Sequence, residues 1–265
     1  MTQAAPAPPP ASCENEPALL RVDALHKRFG ENHVLRGVSF DVPSGGIVSI
    51  LGRSGTGKSV LLRCVVGLHQ PDAGSVSFRG HDVLATGRRA ALRQASSYVF
   101  QHNALFDSAT TLENLVLALR ARGSLPHALQ VEKARELLRH MELEDAAHRY
   151  PAQLSGGMQK RLAVARALVT DPELVFFDEP TAGLDPVRRN SVFEMIVRLQ
   201  RARGFTAVVV THDVAEALLV SSHIVWIDQG HVHFSGTPSQ FEARTEPHFR
   251  LFRDSLDALR QSLLN

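Results

Sequence analysis

The run Gly52, Arg53, Ser54, Gly55, Thr56, Gly57, Lys58, Ser59 and Val60 places glycines at its first, fourth and sixth positions, then a lysine and a hydroxyl. It lies after the apolar stretch "IVSIL" and before "VLLRCVVGL". A strand-to-helix turn of this kind lets successive backbone N–H groups converge on phosphate oxygens at a helix N-terminus. In that setting Lys58 reaches the β- and γ-phosphates of a nucleotide and Ser59 ligates Mg²⁺. The alternative, a glycine-rich turn with a chance lysine, leaves the correct flanking elements unexplained.

A second group of residues complements the first. "LVFFDEP", residues 174 to 180, is an apolar strand ending in two acids, an arrangement that is costly unless the charges meet a cation or water at the strand end. Asp178 is the candidate for the Mg²⁺ shell, and Glu179 for positioning or deprotonating an attacking water. Gln101 closes "SSYVFQ" and is a candidate to reach Mg²⁺ or that water, while His212 in "VVVTHD" is a candidate donor to the γ-phosphate. Taken singly, each more simply caps a strand or satisfies a loop. Together they deliver Lys, Gln, Asp/Glu and His from strand ends to one edge of a parallel sheet, where open α/β sheets bind ligands. Glu179, His212 and Lys58 form the candidate catalytic set.

"LSGGMQKRLAVARAL", residues 154 to 168, opens on a Ser-Gly-Gly turn. Ser155 reads as a helix cap, and Gly156 and Gly157 leave N–H groups facing outward as a second anion site.

The elements that must hold these groups follow from periodicity. "LLRVDALHKRF", "HVLRGVSFDV" and "GGIVSILG" read as strands, as do "GSVSFRGHDV" and "SSYVFQ" after the helix that begins near Gly57. From about Thr111 to Leu168 the period becomes helical. Leu112, Leu115, Val116 and Leu119 form one face, and Val131, Ala134, Leu138 and Met141 another, with Pro126 in the connection. "ELVFF", the helix around "PVRRNSVFEMIVRLQRARG" and "FTAVVV" then alternate as a parallel sheet requires. "HIVWI" and "HVHFSG", joined by Asp228, Gln229 and Gly230, read as a hairpin.

A chain of 265 residues with 44% hydrophobic content fills a sizeable core. Twenty-nine basic against 27 acidic side chains argue against nucleic-acid binding by bulk charge, so any anion site is local. Two distant cysteines, Cys13 and Cys64, offer neither a disulfide framework nor a zinc pattern. No apolar run approaches the roughly 20 residues that span a bilayer, and the start lacks a basic leader and an apolar signal core; a cytosolic chain is expected. Residues 1 to 17, rich in Pro and Ala, are expected to be disordered. Near the other end, Phe249, Phe252, Leu256, Leu259 and Leu263 follow a 3-4 spacing that needs a covering surface, in this subunit or in a neighbour.

In order, Phe29, the Gly52–Ser59 loop, Gln101, "LSGGM", "LVFFDEP", "AGLD" and His212 resemble the ATP-binding-cassette (ABC) ATPase family over roughly residues 19 to 238. The resemblance implies an α/β fold: a P-loop NTPase (RecA-like) core with a parallel sheet, an N-terminal antiparallel β subdomain and a helical subdomain at about 104–168. Residues 239–265 are expected to form a C-terminal helical extension. It further implies that Phe29 stacks on adenine and that two copies sandwich two ATP molecules with Mg²⁺. Ser155, Gly156, Gly157 and Met158 then act in trans, and Asp185 lies at the subunit junction. No nucleic-acid partner is expected.

At a finer level, "GRSGTGKSVLL", "ALFDSATTLENL", "LSGGMQKRLAVARAL" and "DEPTAGLDPV" resemble the ATPases of the Mla and Mce lipid-transport systems. That resemblance implies phospholipid or other lipid transport, an integral membrane permease, a periplasmic Mce-domain lipid-binding protein, and peripheral attachment at the cytoplasmic face of the inner membrane. Leu105 and Phe106 are candidates to hold a cytoplasmic helix of the permease; packing of the insert on the core is their other reading. Two alternatives stand beside lipid transport. One is the ATPase of an importer for amino acids or another small solute, and the other a soluble ABC ATPase outside transport.

Overall fold

The computed structural model of the protein describes residues 18–84, 89–123 and 125–246. The expected N-terminal disorder and the Phe249 to Leu263 stripe lie outside those residues. In chain order the first elements are β1 (Leu20–Phe29), β2 (Asn32–Val42), β3 (Ile47–Leu51), α1 (Lys58–Val65), β4 (Ala73–Phe78) and β5 (His81–Asp82). Next come α2 (Arg89–Ala95), β6 (Ser96–Val99), α3 (Thr111–Arg122), α4 (His127–His140) and α5 (Gly156–Leu168). The last are β7 (Leu174–Asp178), α6 (Pro186–Arg203), β8 (Thr206–Thr211), α7 (Val214–Val220), β9 (His223–Asp228), β10 (His231–Gly236) and α8 (Pro238–Glu242). The elements are those of an α/β P-loop NTPase, with parallel strands, helices and a separate antiparallel sheet.

The chain divides into two compact units. Among the described residues, one comprises 18–44, Val48–Leu84 and 212–246; the other comprises Gly45–Ile47, 89–123 and 125–211. In the first, β2, β1, β4 and β5 form an antiparallel sheet in that order. β9 pairs parallel with β3 and antiparallel with β10. The β9–β10 turn takes positive φ at Gln229 (48°) and Gly230 (81°), the backbone that a two-residue hairpin with right-handed strand twist requires. Leu51, Val214, Ala217, Ile224, Trp226, Phe234 and Phe241 make a buried cluster under this hairpin.

In the second unit, β6, β7 and β8 run parallel, with Ser96 opposite Leu174 and Leu174 opposite Thr206. β7 and β8 are buried at every position, as expected of strands covered on both faces. The connection from β6 to β7 carries α3, α4 and α5. α3 starts on a full capping box, in which the Thr110 hydroxyl accepts from Glu113 N and the Glu113 carboxylate accepts from Thr110 N. That closes two backbone donors which a helix start otherwise leaves open.

Two expectations need revision, and one element had no expectation. β6 stops at Val99, so Gln101 stands in a turn beyond the strand. α4 buries Gln130, Ala134, Leu137 and Leu138, while Val131 is only half-buried; the buried stripe is turned toward Gln130, whose amide donates to Leu125 O. The short helix α2 has too little apolar period to be seen in sequence, with Leu92 its one buried residue.

Asn114 shows how the start of the insert is held. Fully buried, it donates from Nδ2 to the carbonyls of Phe106, Ala109 and Thr110 and accepts from Phe106 N at 2.9 Å. Asn114→Ala removes the partner of Phe106 N, while Phe106 O and Thr110 O keep the N–H groups of Ala109 and residue 114, and a loss of about 1–3 kcal/mol is expected. Urea denaturation followed by circular dichroism measures it, and a change below about 0.5 kcal/mol would show that water replaces the amide without cost.

Candidate functional site

The phosphate-type loop lies in the first unit, between β3 and α1. Gly52 is forced by close approach: a Cβ there would stand 2.3 Å from Ile227 O and 2.9 Å from Thr56 Oγ1. Gly57 is forced twice, by its φ of 96° and by Val34 Cγ1, which would stand 2.7 Å from an added Cβ. Thr56 Oγ1 donates to Arg53 O at 2.9 Å, and Leu61 N returns to Gly57 O at 2.8 Å, joining loop to helix. Lys58 is 4% exposed, and its ammonium donates to Gly52 O at 2.8 Å and Arg53 O at 2.9 Å. The lysine thus lies across its own loop, at the N-terminus of α1, where the helix dipole favours an anion.

Phe29 ends β1 in the same unit and is 46% exposed. Lys27 Nζ lies 5.2 Å from its ring centroid, and His69 meets it edge-on at 5.6 Å. Asp72 ties down this strand end, accepting from Lys27 Nζ at 3.0 Å and Arg28 N at 2.6 Å. The hydrogen bond from Lys27, followed by that from the Arg28 N–H, holds the Asp72 carboxyl below its ordinary range. His212, the first residue after β8, also belongs to this unit and is exposed.

The second unit carries the acids. Asp178 closes β7 at 1% exposure and accepts from the Tyr98 hydroxyl at 2.9 Å. Glu179 follows in the left-handed region, φ 47°, with its N–H on Val210 O at 3.0 Å. For a non-glycine residue this backbone costs of order 1–3 kcal/mol, and such strain gathers at functional positions.

Ser155 caps α5, its hydroxyl accepting from Met158 N at 3.4 Å. Gly156 and Gly157 approach only Leu184 Cδ2 and Arg188 Cδ, each 4.0 Å from an added Cβ. The Ser-Gly-Gly turn and the start of α6 are therefore neighbours. Asp185 caps α6, accepting from Arg188 N at 3.0 Å and pairing with the Arg188 guanidinium at 3.3 Å.

α5 also reaches the segment after β6. Lys160 donates to Gln101 O at 2.5 Å, and Arg166 donates to Ala104 O at 2.5 Å and Asn103 O at 3.2 Å. Asn103 and Ala104 both have positive φ, 61° and 49°, and Ala104 N bonds His102 O at 2.6 Å across a γ-type turn. Arg166 further lies 5.5 Å from the ring of Phe106, which is 50% exposed, while Leu105 is half-buried. Burial lowers the proton affinity of both cations, and Glu179 partly restores that of Lys160.

The first unit thus holds Phe29, the Gly52–Val60 run and His212, and the second holds Gln101, Ser155–Met158, Asp178, Glu179 and Asp185. Tyr98, Lys160 and Arg166 were not singled out from sequence. The only available signal for the last two was their place on the polar-looking helix that follows the Ser-Gly-Gly turn.

Comparison with known proteins bears on this arrangement. Residues 35–182 match the family model described as ABC transporter. The sulfate/thiosulfate import ATP-binding protein CysA of Vibrio vulnificus is 41% identical over 224 residues, covering 83% of this chain and 64% of its own length. The protein of the same name from Bradyrhizobium diazoefficiens is 40% identical over 225 residues, with the same two shares. The chain therefore spans less than two thirds of the length of these relatives. Among solved structures, the dimeric post-hydrolysis state of the ATP-binding cassette MJ0796 bound to ADP and Pi gives a TM-score of 0.74 at 31% identity, covering 83% of this chain and 98% of that one. The cbiO1 protein of Clostridium perfringens, part of the ABC transporter complex cbiONQ, gives 0.78 at 27% identity, covering 94% and 100%. These names do not support the lipid-transport subfamily expected from the motif wording; the CysA relatives are named as importers.

Gly57→Ala tests the loop geometry directly. The added methyl meets Val34 in a backbone region closed to alanine, so a loss of at least about 1 kcal/mol of stability is expected. A thermal melt as stable as the parent's would show that the loop relaxes freely.

Proposed function

The chain belongs to the ABC transporter family, and on that premise we propose that it is an ATP-hydrolysing subunit that drives a membrane permease. One observation carries the reading: a glycine-forced loop leads into α1 with Lys58 across it, and a buried strand ends in Asp178 and the strained Glu179. The first is built to hold phosphates and the second to act on them.

Gly52 to Val60 wrap the phosphates of ATP, with Lys58 on the β- and γ-groups, Phe29 against adenine and His212 on the γ-phosphate. Ser59, Gln101 and Asp178 offer a hydroxyl, an amide and a carboxylate, an all-oxygen donor set that fits Mg²⁺. The Tyr98 hydroxyl on Asp178 orients that carboxylate. Held by these residues, Mg²⁺ would supply positive charge against the charge that develops on the phosphate oxygens.

Glu179 accepts a proton from the attacking water, whose oxygen bonds to the γ-phosphorus as the bond to the β–γ bridging oxygen breaks, giving ADP and phosphate. Ser155 to Met158 meet the γ-phosphate held by a second copy, with Asp185 at the junction. The ATP-bound homodimer closes, and hydrolysis reopens it. The dimeric relative bound to ADP and Pi supports this arrangement. The permease supplies the membrane path, and the subunit binds it peripherally from the cytoplasmic side.

For the cargo, the relatives named for sulfate/thiosulfate import favour uptake of a small solute. A second reading, lipid transport, rests on the wording of "GRSGTGKSVLL", "ALFDSATTLENL", "LSGGMQKRLAVARAL" and "DEPTAGLDPV". Tagged protein purified from its native membranes separates the two. A soluble solute-binding partner supports uptake, an Mce-domain partner supports lipid transport, and the absence of any permease would sink both.

Glu179→Gln is expected to keep ATP-driven dimerisation while turnover falls by about 10²–10⁴. Lys58→Ala should lose nucleotide binding itself, and Ser155→Ala should bind ATP yet fail to dimerise. Phosphate release and analytical ultracentrifugation read these out; parent-level hydrolysis by Glu179→Gln would refute its role as the base.

A further inference from the structure

Lys160 has no task in the reaction proposed for this chain, and stability does not supply one. The residue is 6% exposed. Burying an ammonium costs several kcal/mol, and a well-packed apolar side chain in its place is often neutral or stabilising. Lys160 nevertheless sits in α5, three residues after Gly157, with its Nζ 2.5 Å from Gln101 O. Glu179 is the charged group that acts on it from the end of β7.

Two parts that sequence separates widely are therefore joined through one cation: the helix that starts at the Ser155 turn and the peptide of Gln101. We propose that Lys160 is a positioning residue, whose charge registers the Gln101 peptide against the helix that carries the Ser-Gly-Gly turn. This rests on the role of Gln101 given under the proposed function, and extends it to a residue that touches neither nucleotide nor metal.

The physical logic is electrostatic and geometric. Gln101 lies beyond the end of β6, outside the ladder that would otherwise hold its backbone. A charge-assisted bond to its carbonyl fixes the peptide plane and hence the direction of the side chain. Arg166, two turns further along α5, fixes the next carbonyls of the same segment, so Gln101 to Ala104 are held at both ends from one helix.

The test uses the full chain with Lys160→Met, Lys160→Arg and Lys160→Gln. In Lys160→Met, kcat for ATP hydrolysis is expected to fall at least about tenfold, with KM for ATP within about twofold of the parent and most of the rate restored in Lys160→Arg. Amide hydrogen exchange over 101–104 should rise in Lys160→Met and return toward the parent in Lys160→Arg. Lys160→Gln keeps a donor without the charge; its exchange should stay near the parent while kcat still falls severalfold.

Parent kcat in Lys160→Met, or no recovery in Lys160→Arg, overturns the proposal, and parent kcat in Lys160→Gln overturns the role of the charge. A parent protein that hydrolyses no ATP refutes the proposed function instead. The exchange measurement still decides the tether in that case, since unchanged exchange at 101–104 in Lys160→Met overturns it.

Discussion

A carboxylate at the inner end of a fully buried strand must be answered by its surroundings, because an unpaired charge there costs more than most single contacts return. Asp178, 1% exposed at the end of β7, imposes this condition on the second unit. Tyr98 answers it from β6. Glu179 adds a second acid in the next position, on a backbone that turns away from the strand at positive φ. Lys160 then brings a buried cation from α5. β7 and β8 are buried at every position by contrast.

The first unit depends on steric contact more than on charge. Val34 of β2 stands between two glycines: its Cγ1 faces Gly57 of the loop, and its carbonyl faces Gly230 of the hairpin turn, 2.6 Å from where a Cβ would lie. Arg36 N adds a hydrogen bond to Gly230 O at 2.9 Å. One strand of the antiparallel sheet thus sets the position of both the phosphate-type loop and the β9–β10 turn. The loop's precision comes from being packed against at several points, and any side chain at either glycine would push the backbone away.

Motif spacing and strand-to-helix context made the loop and the acidic strand end legible in the sequence, since both are short and locally determined. The β9–β10 hairpin was legible for the same reason: Gln229 and Gly230 sit between two alternating apolar runs. Gln101 was placed at a strand end from the apolar run before it, but the ladder stops at Val99, where pairing with β7 ends. The burial of Lys160 was not legible. A lysine beside Gln159 and Arg161 reads as part of a solvated face, and only the tertiary position of Gln101 and Glu179 makes an inward ammonium tolerable. On the proposed reading, cargo is the least legible property, because the motifs bear on nucleotide and not on what a partner would carry.

The γ-type turn at Asn103 has a consequence for association. Its carbonyls are already engaged by Arg166, and Asn114 holds both backbone groups of Phe106. The exposed Phe106 ring is therefore presented on a segment that has little conformational entropy left to lose. A molecule that meets this ring faces a surface whose ordering cost was met during folding, so its affinity depends on complementarity with one shape and not on selecting that shape from many.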